Sequence, residues 1–304
     1  MQVIQKLHTD INAPKGFLKA MIRTALESKQ DLTQCETDTL DLIKFNSLNK
    51  YKKLDLKKRL SKLTLLSNGG SNPKTAKKLT GYEFQNYILH LTPSDLSGVN
   101  LCPAASRGCR ASCLNGAGRG LFNGVQIPRL RKTLYYTLFK SDFLNHLSTE
   151  IGKKLKKAKK QGIDAAFRLN GTSDIPWESL KLKSGLSIFE THTDAIFYDY
   201  TKVISRLSRI KGLKNYKLTV SASESNDSDI LKALKNGVNA AVVFDMIPKK
   251  YLGFKVIDGD AHDFRFLDPT SRRGFVVGLK AKGPAKKDRT GFVKRMALIE
   301  KKAS

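Results

Sequence analysis

The chain has 304 residues and 40% hydrophobic content, enough for a substantial core in one large domain or two modest ones. Fifty-five Lys and Arg stand against 27 Asp and Glu, a formal net charge of +28. Such an excess repels itself in a compact chain and points to a polyanionic partner, DNA or RNA, with released counterions supplying affinity. No apolar run approaches the ~18 residues of a membrane-spanning helix, and MQVIQKLHTDINAPKG lacks the apolar stretch of a signal peptide, so no membrane partner and a cytoplasmic location are expected.

Residues 1–80 read as a basic helical N-terminal region. FLKAMIRTALESK and LDLIKFNSLNKYKKLDLKKRLSKLTLL carry apolar residues at helical spacing, and seven cations from Lys50 to Lys62 crowd the second stretch. SNGGSNPKTAKK (67–78) reads as a loop. Residues 81–304 read as an α/β domain. NYILHL (86–91) is its first predicted strand, and a mostly helical stretch spans about 127 to 161. Further strands are predicted at 164–169, 195–200, 216–221, 239–244, 254–257 and 275–279. They are apolar throughout rather than alternating, as in a parallel sheet covered on both faces. Between them lies DSDILKALKNG (227–237), with acids suited to a helix N-terminus and Gly237 to its end. The expected fold is α/β, a partial (β/α) barrel or an open, mostly parallel sheet with a helical N-terminal extension.

In such sheets the functional site sits at the carboxyl ends of the strands. The residues that follow the predicted strands are polar or charged: Asn170, Thr172 and Asp174; Asp199 and Lys202; Ser221, Ser223, Glu224 and Asn226; Asp258 and Asp260; and Lys282. The acids, with Lys202, are candidate catalytic groups, and Asn170, Thr172, Ser221, Ser223 and Asn226 candidate cofactor contacts. Asp258, Asp260, His262 and Asp263 also form a hard-ligand set suited to Mg²⁺. Trp177 is expected to anchor packing near the sheet end, and Tyr200 is a conceivable nucleophile.

Three of the four cysteines, Cys102, Cys109 and Cys113, share one loop as C-x6-C-x3-C, while Cys35 stands alone and reads as a small semi-buried hydrophobe. In a reducing compartment this cluster reads as metal binding or redox chemistry. Thiolates are soft ligands, so zinc or an iron–sulfur cluster is expected. Structural zinc prefers four ligands in paired arms, whereas three cysteines match a cluster with one iron left open. Arg107, Arg110 and Arg119 give the loop a positive field that suits thiolates, an anionic cluster or a phosphate.

The loop follows the first strand of the α/β region and precedes a helix. In this it resembles the radical S-adenosylmethionine enzymes, whose three-cysteine loop follows the first strand of a partial barrel. The resemblance implies Cys102, Cys109 and Cys113 as ligands of a [4Fe-4S] cluster, with S-adenosylmethionine on the open iron. The usual spacing there is C-x3-C-x2-C with an aromatic before the last cysteine; this chain has longer spacings and Ser112. A second resemblance covers more of the chain, roughly 64–295. CPAASRGCRASCLNGAGRG, RLNGTSDI, FYDYTK, LTVSASESN, VIDGDAHDFRFLD and GLKAKGPA together are similar to the phage-encoded gene-product-eighty-eight domain. It implies a phage or plasmid setting, and hence the host cytoplasm, rather than a reaction.

Two segments hold most of the charge: 107–161 is net +11 and 272–304 net +9. Lys153, Lys156, Lys157 and Lys160 fall on one helical face, a candidate phosphate-contacting surface together with Arg107, Arg110, Arg119 and Lys282. Tyr135, Tyr136, Phe139 and Phe143 could stack on bases, though their spacing favours core packing. The leading expectation is a metal-dependent, radical-SAM-like enzyme acting on nucleic acid or nucleotides. The alternatives are a replication-associated DNA-binding protein or nuclease with structural zinc and Mg²⁺, and a non-catalytic single-strand binder. Nothing in the sequence specifies an oligomeric state.

Overall fold

The computed structural model describes residues 49–69, 84–94, 96–97 and 99–296. The helix expected over 17–48 and Cys35 lie outside the described residues. Among those residues the strands form one nine-stranded, open, mostly parallel sheet. Five parallel strands follow one another in chain order: β2 (Phe84–Leu89), β3 (Asp164–Arg168), β4 (Ile196–Thr201), β5 (Tyr216–Ser221) and β6 (Ala240–Phe244). Beyond β6 come β9 (Val276–Lys280) and then β8 (Phe254–Asp258), both parallel to it. Two short antiparallel strands close the edges: β1 (Leu66–Asn68) beside β2, and β7 (Lys250–Tyr251) beside β8.

The helices are α1 (Lys50–Leu60), α2 (Arg107–Ala111), α3 (Asn123–Leu138), α4 (Lys140–Lys160), α5 (Ile188–Thr191), α6 (Arg206–Arg209) and α7 (Asp227–Lys235). The larger ones cover one face of the sheet. Tyr87, Leu89, Phe167, Leu169, Phe197, Tyr216 and Leu218 point to that face, into a core shared with Leu134 and Tyr135 of α3 and Phe143, Leu147 and Ile151 of α4. Val220, Ala240, Val242 and Phe244 continue it against Ile230, Ala233 and Leu234 of α7. Parallel neighbours in chain order, joined by crossovers of one hand, put their helices on one side. Gly237 follows α7 with φ +77°, a left-handed turn that glycine adopts without a Cβ penalty.

The other face is covered by chain without long helices, which explains why the strands are apolar throughout. Phe264 packs on Ala166 and Tyr198, with Phe84, Phe266 and Leu267 around it. Higher on this face Ala281, Ala285, Phe292 and Val293 pack together against Val243 and Cys109. Between them lies a buried polar layer. Arg168 pairs with Asp263 at 2.5 Å, and the Tyr200 hydroxyl donates to Asp263 at 2.9 Å. Tyr200 is half-buried, with its hydroxyl engaged by Asp263 rather than presented as a nucleophile.

The sheet begins ahead of residue 81. Glu150 accepts the amide hydrogens of Leu65 and Leu66 at 2.8 and 3.2 Å, and Lys132 donates to the Leu65 carbonyl at 2.8 Å. Leu56, Leu60 and Leu65 then enter the main core. The helix expected from 127 to 161 is two helices. The backbone turns at Phe139 (φ −131°, ψ 51°), which directs Tyr135, Tyr136 and Phe143 into one core around Trp177.

Candidate site at the mouth of the sheet

The cysteine loop lies across the carboxyl ends of β2 to β5. Cys102 is anchored on the β2 and β3 side: its sulfur accepts from the Ser94 amide at 3.3 Å and lies 3.7 Å from the Thr172 carbonyl. Next to it, the Asp174 amide donates to the Leu101 carbonyl at 2.8 Å. The loop then enters α2, whose first turn is capped by Ser106. Glu224, in the turn after β5, accepts from the Gly108 amide at 2.7 Å and from the Ser106 hydroxyl at 2.5 Å. A Cβ on Gly108 would lie 2.1 Å from Thr290 Oγ1 and 2.6 Å from Phe292 Cβ. Only glycine permits this close approach. Cys109 packs against the cluster of Ala281, Ala285, Phe292 and Val293, and Lys202, after β4, holds its ammonium 5.7 Å from the centre of the Phe292 ring.

The three thiols sense one another. Burial pushes the Cys102 thiol up to about 12, with Cys113, Cys109 and Asp174 adding to the rise and the Ser94 hydrogen bond opposing it. Burial also raises the Cys113 thiol, and Cys109 adds to this; the Asn115 amide, Arg129 and Lys202 pull the other way. As placed, burial favours the protonated form of Cys102 and Cys113, and a cation bound there would release those protons. The donor set, three soft sulfurs with Arg and Lys beside them, suits a thiolate-bound metal or cluster. Among the described residues no group of three or more His, Cys, Asp and Glu side chains stands ready to hold a metal ion, so ligation requires the loop to draw its sulfurs together.

The remaining strand-end residues divide by role. Asn170 is fully engaged: its Oδ1 accepts from Ser173, the Ile175 amide and the Trp177 indole, and its Nδ2 donates to Ile175 and Asp199. Trp177 is buried as the packing anchor expected of it. Asp174 and Glu178 pair with Arg206 at 2.6 and 2.9 Å, and Arg206 also donates to the Tyr216 hydroxyl, which in turn donates to Asp199. This buried network fixes the 170–178 loop, and Asp174 extends it to the mouth by accepting the Lys202 amide at 2.9 Å. Burial raises Asp199 to about 7, against hydrogen bonds from Asn170 and Tyr216 and the charges of Arg206 and Arg168. Asn226 shapes the β5 turn, accepting from the Ser223 amide and donating to the Ser221 carbonyl.

The Mg²⁺ set does not gather. Asp258 accepts the Asp260 amide, Asp260 pairs with Lys282 at 2.9 Å and accepts the Lys280 amide, and Asp263 turns inward to Arg168. The acids are held by cations or backbone amides.

The expected basic surface also divides. Arg107 is exposed on α2, and Arg110 Nε donates to the Ala105 carbonyl. The Arg119 side chain lies outside what the structure describes. Lys153, Lys156, Lys157 and Lys160 are exposed on one side of α4. They lie at the opposite end of the sheet from the cysteines, because α4 runs back toward the start of β3. There Gln161 bonds Gln85, one residue into β2, at 2.6 Å. This lysine face therefore does not flank the mouth, contrary to the placement expected from its position after the cysteine loop. Sequence reading missed Arg129, which donates to Asn115 Oδ1, and Phe292. The only signal for Arg129 was an arginine in the helix after the cysteine loop.

These features define a class: a mostly parallel α/β protein with a three-cysteine loop laid over its strand ends. Residues 62–296 match the family Gene product 88, and the chain belongs to that family, as its motifs implied. Searches of the curated proteins and of the solved structures returned no match. No helix among the described residues is long and apolar enough to cross a membrane.

Proposed function

We propose that this protein is a metal-dependent enzyme whose cysteine loop holds a [4Fe-4S] cluster and which acts on nucleic acid or a nucleotide. The observation that carries it is one loop that holds Cys102, Cys109 and Cys113 over the strand ends, anchored there on Thr172 and Glu224 with Asp174 and Lys202 alongside. With three sulfur ligands, a cluster keeps one iron open and supplies single-electron chemistry there, with S-adenosylmethionine as the expected co-substrate. The protein's own parts have distinct tasks. Glu224 pins α2 through Gly108 and Ser106, the Arg206 network sets the 170–178 loop, and the apolar cluster around Phe292 packs against Cys109. The +28 charge favours a polyanionic substrate.

Anaerobic purification followed by metal analysis and an absorption spectrum tests this. Brown protein with about four irons per chain, lost on Cys109→Ser substitution, is the expected outcome. Colourless, iron-free protein after careful reconstitution sinks the cluster; zinc bound in its place favours the DNA-binding alternative.

A further inference from the structure

The mouth has an asymmetry of charge. Each of its acids is engaged: Asp174 by Arg206 and the Lys202 amide, Glu224 by Gly108 and Ser106. Two of its cations have no carboxylate partner among the described residues. Arg129, half-buried on α3, donates one Nη1 bond to Asn115, two residues past Cys113. Lys202 approaches from β4, with its ammonium over the ring of Phe292, a member of the cluster against which Cys109 packs. Neither residue forms an ion pair among the described residues. Arg129 reaches the cysteine loop through Asn115, and Lys202 reaches the mouth through Phe292 and the Asp174 carboxylate, so both stand at the mouth. His90, at the end of β2, adjoins Arg129 and is held neutral, down to about 3, by burial and by the Arg129, Arg168 and Lys132 charges.

A partly desolvated guanidinium without a counter-charge is costly, and an oxyanion such as phosphate, which accepts paired hydrogen bonds on two of its oxygens, is the ligand that offsets it. A lysine across the site adds a point charge to the same anion. We infer that Arg129 and Lys202 form an oxyanion-binding pair at this mouth, so that the molecule presented to the cysteines carries a phosphate. This rests on the mouth being the functional site, but not on which metal the cysteines hold. The residues are positioning groups for the substrate. The phosphate could belong to a free nucleotide or to the backbone of a single strand; Arg129 and Lys202 read the group the two share.

Metal-free full-length protein titrated with inorganic phosphate, a nucleoside monophosphate and a short single-stranded oligonucleotide, followed by calorimetry and ³¹P NMR, tests the pair. Wild type binds all phosphate-bearing probes, and Lys202→Gln and Arg129→Gln each weaken binding about tenfold or more. Lys235→Gln, exposed on α7 away from the mouth, leaves it unchanged. Tighter binding of the monophosphate than of the oligonucleotide assigns a nucleotide substrate; the reverse order assigns a strand. Arg129 also supports Asn115, so circular dichroism monitors folding, Arg129→Lys should restore part of the binding, and Lys202→Gln provides an independent arm. Absence of phosphate binding by wild type, or equal binding by wild type and folded Lys202→Gln, overturns the inference. The iron content of the same variants separates the two readings. Iron-free protein that still loses phosphate binding on Lys202→Gln removes the cluster and keeps the oxyanion pair.

Discussion

Asp199 sits fully buried at the end of β4, accepting the Asn170 amide at 2.7 Å and the Tyr216 hydroxyl at 3.1 Å. Its carboxyl is raised from the ordinary 3.8 to about 7, chiefly by burial. Between those values the folded chain keeps a proton that the unfolded chain has released. The contribution to stability is therefore full below about pH 4 and is lost as pH rises through about 7. His90 works in the opposite sense, its neutral form favouring the folded chain above the ordinary histidine value of 6.5. Only a difference between variants isolates Asp199. The denaturation midpoint of wild type relative to Asp199→Asn should fall steadily from about pH 4 to about pH 7. Parallel profiles for the two proteins would show that this carboxyl does not titrate in that window. At the same scale, the sequence marks Asn170, Asp174 and Asp199 as polar strand-end residues but does not reveal that they serve one another. Their partner Arg206 lies far along the chain from Asp174, and a pairing of that kind exists only once β3 and β4 lie side by side.

The cysteine loop depends on how α2 docks. Gly108 touches Thr290, Phe292 and Glu224 so closely that any side chain displaces the loop. Gly108→Ala should cost about 1–3 kcal/mol in chemical denaturation, the range for overpacking a tight contact. It should also impair metal uptake, since α2 carries Cys109. An unchanged midpoint with full metal uptake would show that α2 docks elsewhere. Elements with an internal pattern were legible in the sequence: the parallel strands, and α7 with its acids at one end and Gly237 at the other. The edge strands β1 and β7 were not, because three and two residues carry no period and gain their structure from the neighbouring strand. The turn at Phe139 was hidden for a related reason. Both helices have helical apolar spacing, and no proline or glycine marks the break, which is seen only where the aromatics on either side of it meet around Trp177.

At the scale of the whole molecule, the described residues place basic side chains at both ends of the sheet. The lysine face of α4 lies at the far end from the cysteines, and Lys153, Lys156, Lys157 and Lys160 on it form no ion pair among the described residues. If that face carries nucleic acid, replacing its four lysines by glutamine should flatten the dependence of log affinity on log salt. The expected loss of slope is about 0.7–0.9 per phosphate contact removed. An unchanged slope would place the bound strand elsewhere, with the mouth as the first site to test. The sequence by itself determined the α/β class, the family, the parallel strands and the three-cysteine loop, because hydrophobic period and local motif are properties of contiguous residues. Tertiary structure alone decided which polar groups brace the scaffold and which face the sulfurs, and which charges lie at the mouth. Those distinctions depend on strand order and helix direction, which bring together residues that sequence distance keeps apart.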